Sequence, residues 1–103
     1  MHTILIVEDE LNLRLNLCEI LEREGFSVIA ATNGSEAIST IKGFTPDLIL
    51  SDVRMPVMDG LQLLQNIQAD PATALIPFVF LTAKAEMQDL REAMNLGADD
   101  YLL

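Results

Sequence analysis

Two short apolar runs that each end in carboxylates are the feature that most restricts the fold of this chain. Residues 3–7 read TILIV and are followed directly by Glu8 and Asp9. Residues 48–50 read LIL and are followed by a serine and Asp52. Apolar runs without alternation of polar residues are typical of strands in a parallel sheet that is covered on both faces. The carboxylates are therefore expected at the carboxyl ends of two strands.

Segments of this kind alternate with helical patterns along the whole chain. The predicted strands lie at residues 3–7, 26–30, 48–50, 78–81 and 101–103. The predicted helices lie at residues 10–24, 35–42, 61–69 and 86–96, and a glycine follows three of them. This alternation predicts an α/β fold with a doubly wound parallel sheet. A chain of 103 residues without a linker or repeat is expected to form a single domain, residues 1–103.

Charge and composition narrow the functional class. Sixteen acidic residues stand against six lysines and arginines, for a formal net charge of −10. Direct binding to nucleic acid requires clustered lysine and arginine side chains, so that class is not expected. The apolar runs are too short to cross a bilayer, the N-terminus shows no secretory signal, and the lone Cys18 cannot form an internal disulfide. We therefore expect a cytoplasmic protein.

The carboxylates at the strand ends predict a cation site, because ligands of doubly wound sheets bind there. If the first and third strands are neighbours, Glu8, Asp9 and Asp52 converge, with Thr82 at the end of the fourth strand. Clustered carboxylates without histidine or cysteine favour Mg²⁺. A carboxylate fixed beside that metal can attack a phosphoryl group, and Asp52 is the candidate nucleophile. Alternatively, Glu8 and Asp9 only cap the first helix, which leaves Asp52 unexplained.

Four motifs, in this order, carry a resemblance to a known family. They are ILIVEDE (4–10), DLILSDVRMPVMDG (47–60), FLTAKAE (80–86) and GADDYLL (97–103). Together they resemble the receiver domain of two-component response regulators over essentially the whole chain. The resemblance implies a flavodoxin-like fold with a parallel sheet of order 2-1-3-4-5. It also implies a domain that accepts a phosphoryl group from a sensor histidine kinase and then alters a partner-binding face.

The resemblance also implies a role for each residue at a matching position. Asp52 resembles the phosphoacceptor. Asp9 resembles a direct Mg²⁺ ligand, Glu8 a ligand that acts mainly through water, and the backbone carbonyl of Arg54 a further ligand. Thr82 and Tyr101 resemble the switch residues, and Ala83 resembles the residue whose backbone N–H donates to the phosphoryl group. Arg54 and Lys84 are at the positions that tune the lifetime of the phosphorylated state. Pro56 and Gly60 resemble the residues that shape the loop after the acceptor.

The sequence departs from the family pattern at its end. The pattern continues past GADDYLL with a lysine, a proline and a last helix, whereas this sequence stops at Leu103. The resemblance therefore implies a receiver domain truncated at its C-terminus. We expect weaker acceptance of phosphate, because charge-assisted contacts such as the lysine makes contribute roughly 1.5–3 kcal/mol. Apolar residues also spread over more than half the circumference of the first helix, and we expect self-association through the face left bare.

Two alternative functions compete with this interpretation. One is a pseudo-receiver that never takes phosphate and acts as an assembly or dimerisation module, which Mg²⁺ binding would distinguish. The other is an enzyme such as a haloacid-dehalogenase-like phosphatase. That family requires a second acidic residue two positions after the nucleophile, where this chain has Arg54. A glycine-rich phosphate loop is also missing from the sequence. We therefore expect no enzyme beyond self-catalysed phosphotransfer and dephosphorylation.

Overall fold

The computed structural model describes residues 2–81 and 87–102. Its strands are β1 (Thr3–Val7), β2 (Ser27–Ala31), β3 (Leu48–Asp52), β4 (Phe78–Leu81) and β5 (Asp100–Leu102). Its helices are α1 (Leu11–Arg23), α2 (Gly34–Gly43), α3 (Gly60–Ala69) and α4 (Met87–Asn95). All nine elements lie within two residues of the predicted bounds. Among the described helices, none has the length and apolar character that a membrane-spanning segment requires.

The five strands form one parallel sheet in the order β2-β1-β3-β4-β5. This order confirms the predicted doubly wound sheet. The chain winds outward from β1 in both directions, so β1 and β3 flank the point at which the strand order reverses. Doubly wound sheets bind their ligands at the carboxyl ends of these two strands. The fold therefore brings Glu8, Asp9 and Asp52 to the expected edge.

The face of the sheet beneath α2, α3 and α4 is closed. Phe78 and Phe80 of β4 lie on it with their ring centroids 4.9 Å apart. Leu63, Leu64 and Ile67 of α3 pack in the same core and are at most 2% exposed. Burial of each such side chain contributes about 1.5–3 kcal/mol. This core holds β3 and β4 firmly, and with them the strand ends that carry candidate site residues.

The opposite face is only partly covered by the described residues. Ile4, Ile6 and Leu50 are buried there, and α1 packs mainly on β1 and β2. Val79 and Leu81 of β4 remain half-buried on this face. Within residues 11–23, no side chain is fully buried. The apolar residues of α1 therefore extend beyond its contact with the sheet. Three of them are 55–56% exposed: Leu11, Leu15 and Ile20.

The C-terminus of α1 shows why the chain turns where it does. Gly25 has a φ of +93°, a left-handed conformation that favours glycine. The N–H groups of Gly25 and Phe26 donate to the carbonyls of Glu22 and Leu21, which together make a Schellman motif. Because Phe26 belongs to this helix end, β2 begins one residue later than predicted, at Ser27.

Candidate functional site

The acidic residues that were predicted to converge lie together. Asp52 is the last residue of β3, and Glu8 directly follows β1. Val7 is opposite Ser51 in the sheet register. The residues that follow them, Glu8 and Asp52, therefore lie side by side at the same edge of the sheet. One carboxylate oxygen from each of Glu8, Asp9 and Asp52 lies within 4.8 Å of the other two. We refer to these three residues as the acidic cluster.

Two members of the acidic cluster are fully buried, and the third is open to solvent. Glu8 and Asp52 are 0% exposed, whereas Asp9 is exposed. The Glu8 N–H donates to the Ala31 carbonyl at 3.0 Å, which extends the pairing of β1 with β2 by one residue. The cluster therefore has a rigid, buried base and one accessible side through which a ligand can enter.

The same residues test the alternative that Glu8 and Asp9 only cap α1. A side-chain oxygen of Glu8 accepts a hydrogen bond from the N–H of Glu10, the residue that precedes the helix, at 3.0 Å. The side chain of Glu10 itself makes no capping hydrogen bond to the described residues. Capping thus accounts for one contact of Glu8. It does not account for the position of Asp52 beside Glu8 and Asp9.

The chemistry of the acidic cluster fits a hard divalent cation. Three carboxylates supply oxygen ligands only, and this is the ligand type that Mg²⁺ prefers in proteins. Burial of neighbouring carboxylates is unfavourable unless a positive charge compensates it. The exposed Asp9 keeps one side of the cluster open to water, which Mg²⁺ usually retains as ligands. The cluster can therefore hold Mg²⁺.

Arg14 is a basic residue next to the cluster that the sequence analysis missed. From the first turns of α1, its Nη1 donates to the Glu8 carbonyl at 2.8 Å and to the Asp9 carbonyl at 3.4 Å. The guanidinium thereby holds the backbone that carries two of the three carboxylates, and it brings a positive charge near them. A basic residue one turn into a helix that follows an acidic pair is the sequence signal that could have pointed to it.

The loop between β3 and α3 contains a strained turn. The Met58 N–H donates to the Pro56 carbonyl at 2.9 Å, and Val57 between them has a φ of +70°. This is a γ-turn with a left-handed central residue, a conformation that is rare for a β-branched side chain. Strain of this kind is typically retained close to functional sites. Pro56, predicted to shape the loop, supplies the acceptor of this turn.

The loop ends in a capping box that starts α3. The Asp59 side chain accepts a hydrogen bond from the Gln62 N–H at 2.9 Å, and the Gln62 side chain accepts one from the Asp59 N–H at 3.0 Å. This reciprocal pair satisfies two N–H groups at the helix terminus. The N–H of Gly60 donates to the Val53 carbonyl at 2.9 Å. The start of α3 is thereby tied to the end of β3.

Arg54 connects this loop to α4. Its guanidinium donates to an oxygen of Asp59 at 3.3 Å and forms an ion pair with Asp89 of α4. The hydrogen bond to Asp89 raises the pKa of Arg54 above its ordinary value. Asp89 is only 8% exposed. No local pattern in the sequence signals Asp89, because its pairing with Arg54 spans 35 positions.

The remaining predicted site residues are distributed as follows. Thr82, Ala83 and Lys84 lie outside the described residues. Tyr101 lies on β5, two strands from Asp52 in the sheet, and is 38% exposed. The structure therefore brings together the predicted metal and acceptor carboxylates, while Tyr101 stands apart from them at the surface.

A doubly wound parallel sheet with a carboxylate cluster beside the point where its strand order reverses defines a class of α/β domains with an acidic site at the strand ends. The model of the response regulator receiver domain family matches residues 4–103. This chain belongs to the response regulator receiver domain family. As such it is a signalling domain of two-component systems rather than a conventional enzyme.

Individual relatives agree with this assignment. The chain is 37% identical over 99 residues to the phosphate regulon transcriptional regulatory protein PhoB of Escherichia coli (strain K12). That match covers 96% of this chain but 43% of PhoB, so the chain spans less than half the length of this relative.

Solved structures show the same fold. The signal receiver domain of a signal transduction histidine kinase from Syntrophus aciditrophicus has a TM-score of 0.91 at 37% identity, over 99% of this chain and 77% of that one. Chemotaxis protein CheY4 of Vibrio cholerae has a TM-score of 0.92 at 28% identity, over 100% of this chain and 86% of that one. These similarities confirm the flavodoxin-like receiver fold.

Proposed function

We propose that this chain is a phosphoacceptor module in which Asp52 takes a phosphoryl group from a sensor histidine kinase in the presence of Mg²⁺. One observation carries the proposal. The Asp52 carboxylate is fully buried at the end of β3, with an oxygen within 4.8 Å of oxygens from Glu8 and Asp9. A carboxylate held in place beside a cation-binding cluster is the arrangement that an aspartyl nucleophile requires.

The proposed reaction is a transfer between a phosphohistidine and Asp52. A carboxylate oxygen of Asp52 attacks the phosphorus atom, and the P–N bond breaks as the new P–O bond forms. The imidazole leaves with the electron pair of that bond, and it is neutral when its other nitrogen carries the proton. The product is an acyl phosphate on Asp52. When bound, Mg²⁺ offsets the negative charge of the phosphoryl oxygens.

The proposed metal ligands are the carboxylates of Asp9 and Asp52 and the backbone carbonyl of Arg54, with Glu8 acting mainly through water. The hydrogen bond that Glu8 accepts from the Glu10 N–H supports an indirect role, because it occupies one of its oxygens. The exposure of Asp9 supports a direct role, since an ion that keeps water ligands needs an open side.

The proposed switch residues are Thr82 and Tyr101, with the Ala83 N–H as a further donor to the phosphoryl group. Thr82 follows Leu81 in the sequence, and Leu81 is opposite Asp52 in the sheet register. Tyr101 is 38% exposed, so an inward rotation of its ring would change the surface that an output partner contacts. Arg54 and Lys84 are the proposed positions that tune the lifetime of the acyl phosphate.

Titration with Mg²⁺ tests whether the acidic cluster is a metal site, and isothermal calorimetry measures the binding affinity directly. We expect the wild type to bind Mg²⁺ and Asp9→Asn to bind it at least about tenfold more weakly, because one charge beside the ion is lost. Asp70→Asn is the matched control. Asp70 is exposed beyond the far end of α3, and its acceptor bond to the Ala72 N–H can be kept by an asparagine oxygen.

The result separates two functions. A folded wild type that binds no Mg²⁺, or an Asp9→Asn variant with unchanged affinity, would contradict the phosphoacceptor proposal. It would favour the alternative of a receiver fold used only for assembly, since such a module has no need to hold the metal.

We also propose that the chain associates with a second copy of itself through α1 and the sheet face beside it. Leu11 and Leu15, one turn apart on α1, are each 56% exposed, and Leu102 of β5 is 50% exposed. Burial of apolar surface yields about 25 cal/mol per Å². A net charge of −10 on each copy opposes association. We therefore expect added salt to strengthen the dimer, because it screens this repulsion.

Sedimentation velocity at low and high salt tests this association. We expect a dimer that Leu15→Glu abolishes by placing a charge in the contact. Leu75→Glu is the matched control, because Leu75 is 94% exposed in the segment between α3 and β4. A wild type that stays monomeric at all concentrations and salt levels would contradict self-association and leave the phosphoacceptor proposal intact.

A further inference from the structure

We infer that Asp89 is a positioning residue that holds the Arg54 side chain on α4 and so keeps its positive charge from a phosphoryl group on Asp52. The inference rests on the proposed phosphoacceptor function of Asp52. It concerns a residue 37 positions further along the chain, on a different element from the acidic cluster.

Arg54 is close to the acceptor in the chain, but its guanidinium is engaged elsewhere. It follows Asp52 by two residues, at the start of the loop between β3 and α3. Both ion pairs that it makes with described residues go to Asp59 and Asp89, and neither of these belongs to the acidic cluster. A positive charge therefore lies beside the site without being directed into it.

The two partners of Arg54 are not equivalent. Asp59 lies 3.3 Å from the guanidinium, and its other oxygen caps α3 through the Gln62 N–H. The side chain of Asp89 is the more buried of the two, 12% exposed against 20% for Asp59. A more buried carboxylate is less screened by water and holds the guanidinium more firmly. Asp89 is therefore the partner that sets the direction of the Arg54 side chain.

Release of Arg54 would change the chemistry at Asp52. A guanidinium presents several N–H donors in a planar fork that matches phosphoryl oxygens. During phosphoryl transfer, negative charge is spread over those oxygens, and a nearby arginine stabilises it. While the ion pair with Asp89 holds the Arg54 side chain, the phosphoryl group does not receive this stabilisation. We therefore expect Asp89 to slow the uptake of phosphate, with Arg54 as the group through which it acts.

A purely structural role makes a different prediction. If the ion pair only tied the loop to α4, Asp89→Asn and Arg54→Ala would break the same contact and would change the reaction rate in the same direction. A mutant cycle separates the two roles, because only the proposed role predicts that Asp89→Asn raises the rate while Arg54→Ala does not.

The experiment measures the rate of self-phosphorylation from a small acyl phosphate with Mg²⁺, by intact mass over time. The variants are wild type, Asp89→Asn, Arg54→Ala and the double variant. We expect Asp89→Asn to raise the rate about fivefold over wild type. We expect no increase when Asp89→Asn is added to Arg54→Ala. The charge control is Asp70→Asn, an exposed carboxylate beyond the far end of α3 that is not among the charges acting on Arg54, and it should not change the rate.

Each outcome is informative. The inference is overturned by an equal increase in both backgrounds, by an equal increase in Arg54→Ala alone, or by no increase in a folded Asp89→Asn variant, while the wild-type reaction still supports the proposed function. A folded wild type that takes no phosphoryl group overturns both, because no reaction is then available for Asp89 to control. If thermal unfolding shows that Asp89→Asn does not fold, Asp89→Ser removes the same charge and completes the cycle.

Discussion

A Cβ atom placed on Gly60 would lie 1.9 Å from the backbone oxygen of Asp52. The same atom would lie 2.7 Å from the ring of Phe80. The first residue of α3 is therefore packed directly against the end of the strand that carries the candidate acceptor. Only a residue without a side chain fits this approach, and it gives Gly60 a role that the sequence resemblance had described only as shaping the loop.

Gly60→Ala should destabilise the fold by about 3 kcal/mol, because backbone atoms of β3 would have to shift. Urea unfolding measures the change. The control is Gly43→Ala at the last residue of α2, where a Cβ meets nothing within 4 Å. We expect that variant to be unchanged or stabilised by up to about 1 kcal/mol. Equal effects of the two substitutions would contradict the close approach.

Val57→Gly should stabilise the protein, although a glycine substitution usually destabilises the folded state. Val57 is 81% exposed and has a φ of +70°. The left-handed conformation costs roughly 1–2 kcal/mol, whereas the added freedom of glycine in the unfolded chain costs about 0.5–1 kcal/mol. We expect a net gain of about 0.5–1 kcal/mol in urea unfolding. Val57→Ala keeps the Cβ and should show little gain, and a loss of stability in Val57→Gly would argue against the strained turn.

Cys18 should react slowly with alkylating agents in the native state. Burial raises the pKa of the Cys18 thiol, and the negative charge of Glu22 raises it further. Because the native state holds the thiol proton more tightly than the unfolded chain does, the free energy of unfolding should fall as pH rises through the range in which the thiol titrates.

The check is the rate of alkylation by iodoacetamide as a function of pH, in buffer and in urea. We expect the pH at which the alkylation rate is half-maximal to be higher for the native protein than for the unfolded chain. Glu22→Gln should lower this native midpoint part of the way towards the unfolded one. Glu24→Gln is the control, since Glu24 is not among the causes of the shift. A native midpoint equal to or below the unfolded one would be inconsistent with a half-buried thiol beside Glu22.

Much of the fold could be predicted because its signals are local. The apolar runs located β1 and β3, and the residues that follow or end them located Glu8 and Asp52. Gly25 marked the end of α1 because the helix needs a left-handed residue there. The order of the strands came from the resemblance, since no periodicity in a sequence determines which strands are neighbours.

The structural features that were not predicted from the sequence fall into two groups. The capping box of Asp59 and Gln62 has a recognisable spacing and could have been found, because acidic and glutamine residues three positions apart are a known helix start. The pairing of Arg54 with Asp89 could not, because it depends on how α4 packs beside the loop. The conformation of Val57 also had no signal, since valine is the wrong residue type for a left-handed turn.

The central claim is that the acidic cluster makes Asp52 a phosphoacceptor. Intact mass after incubation with a small acyl phosphate, with and without Mg²⁺, tests it most directly, with Asp52→Asn as the acceptor control and Asp70→Asn as the matched surface control. We predict a gain of one phosphoryl group in the wild type and in Asp70→Asn that requires Mg²⁺, and no gain in Asp52→Asn. No gain in a folded wild type, or an equal gain in Asp52→Asn, would contradict the claim.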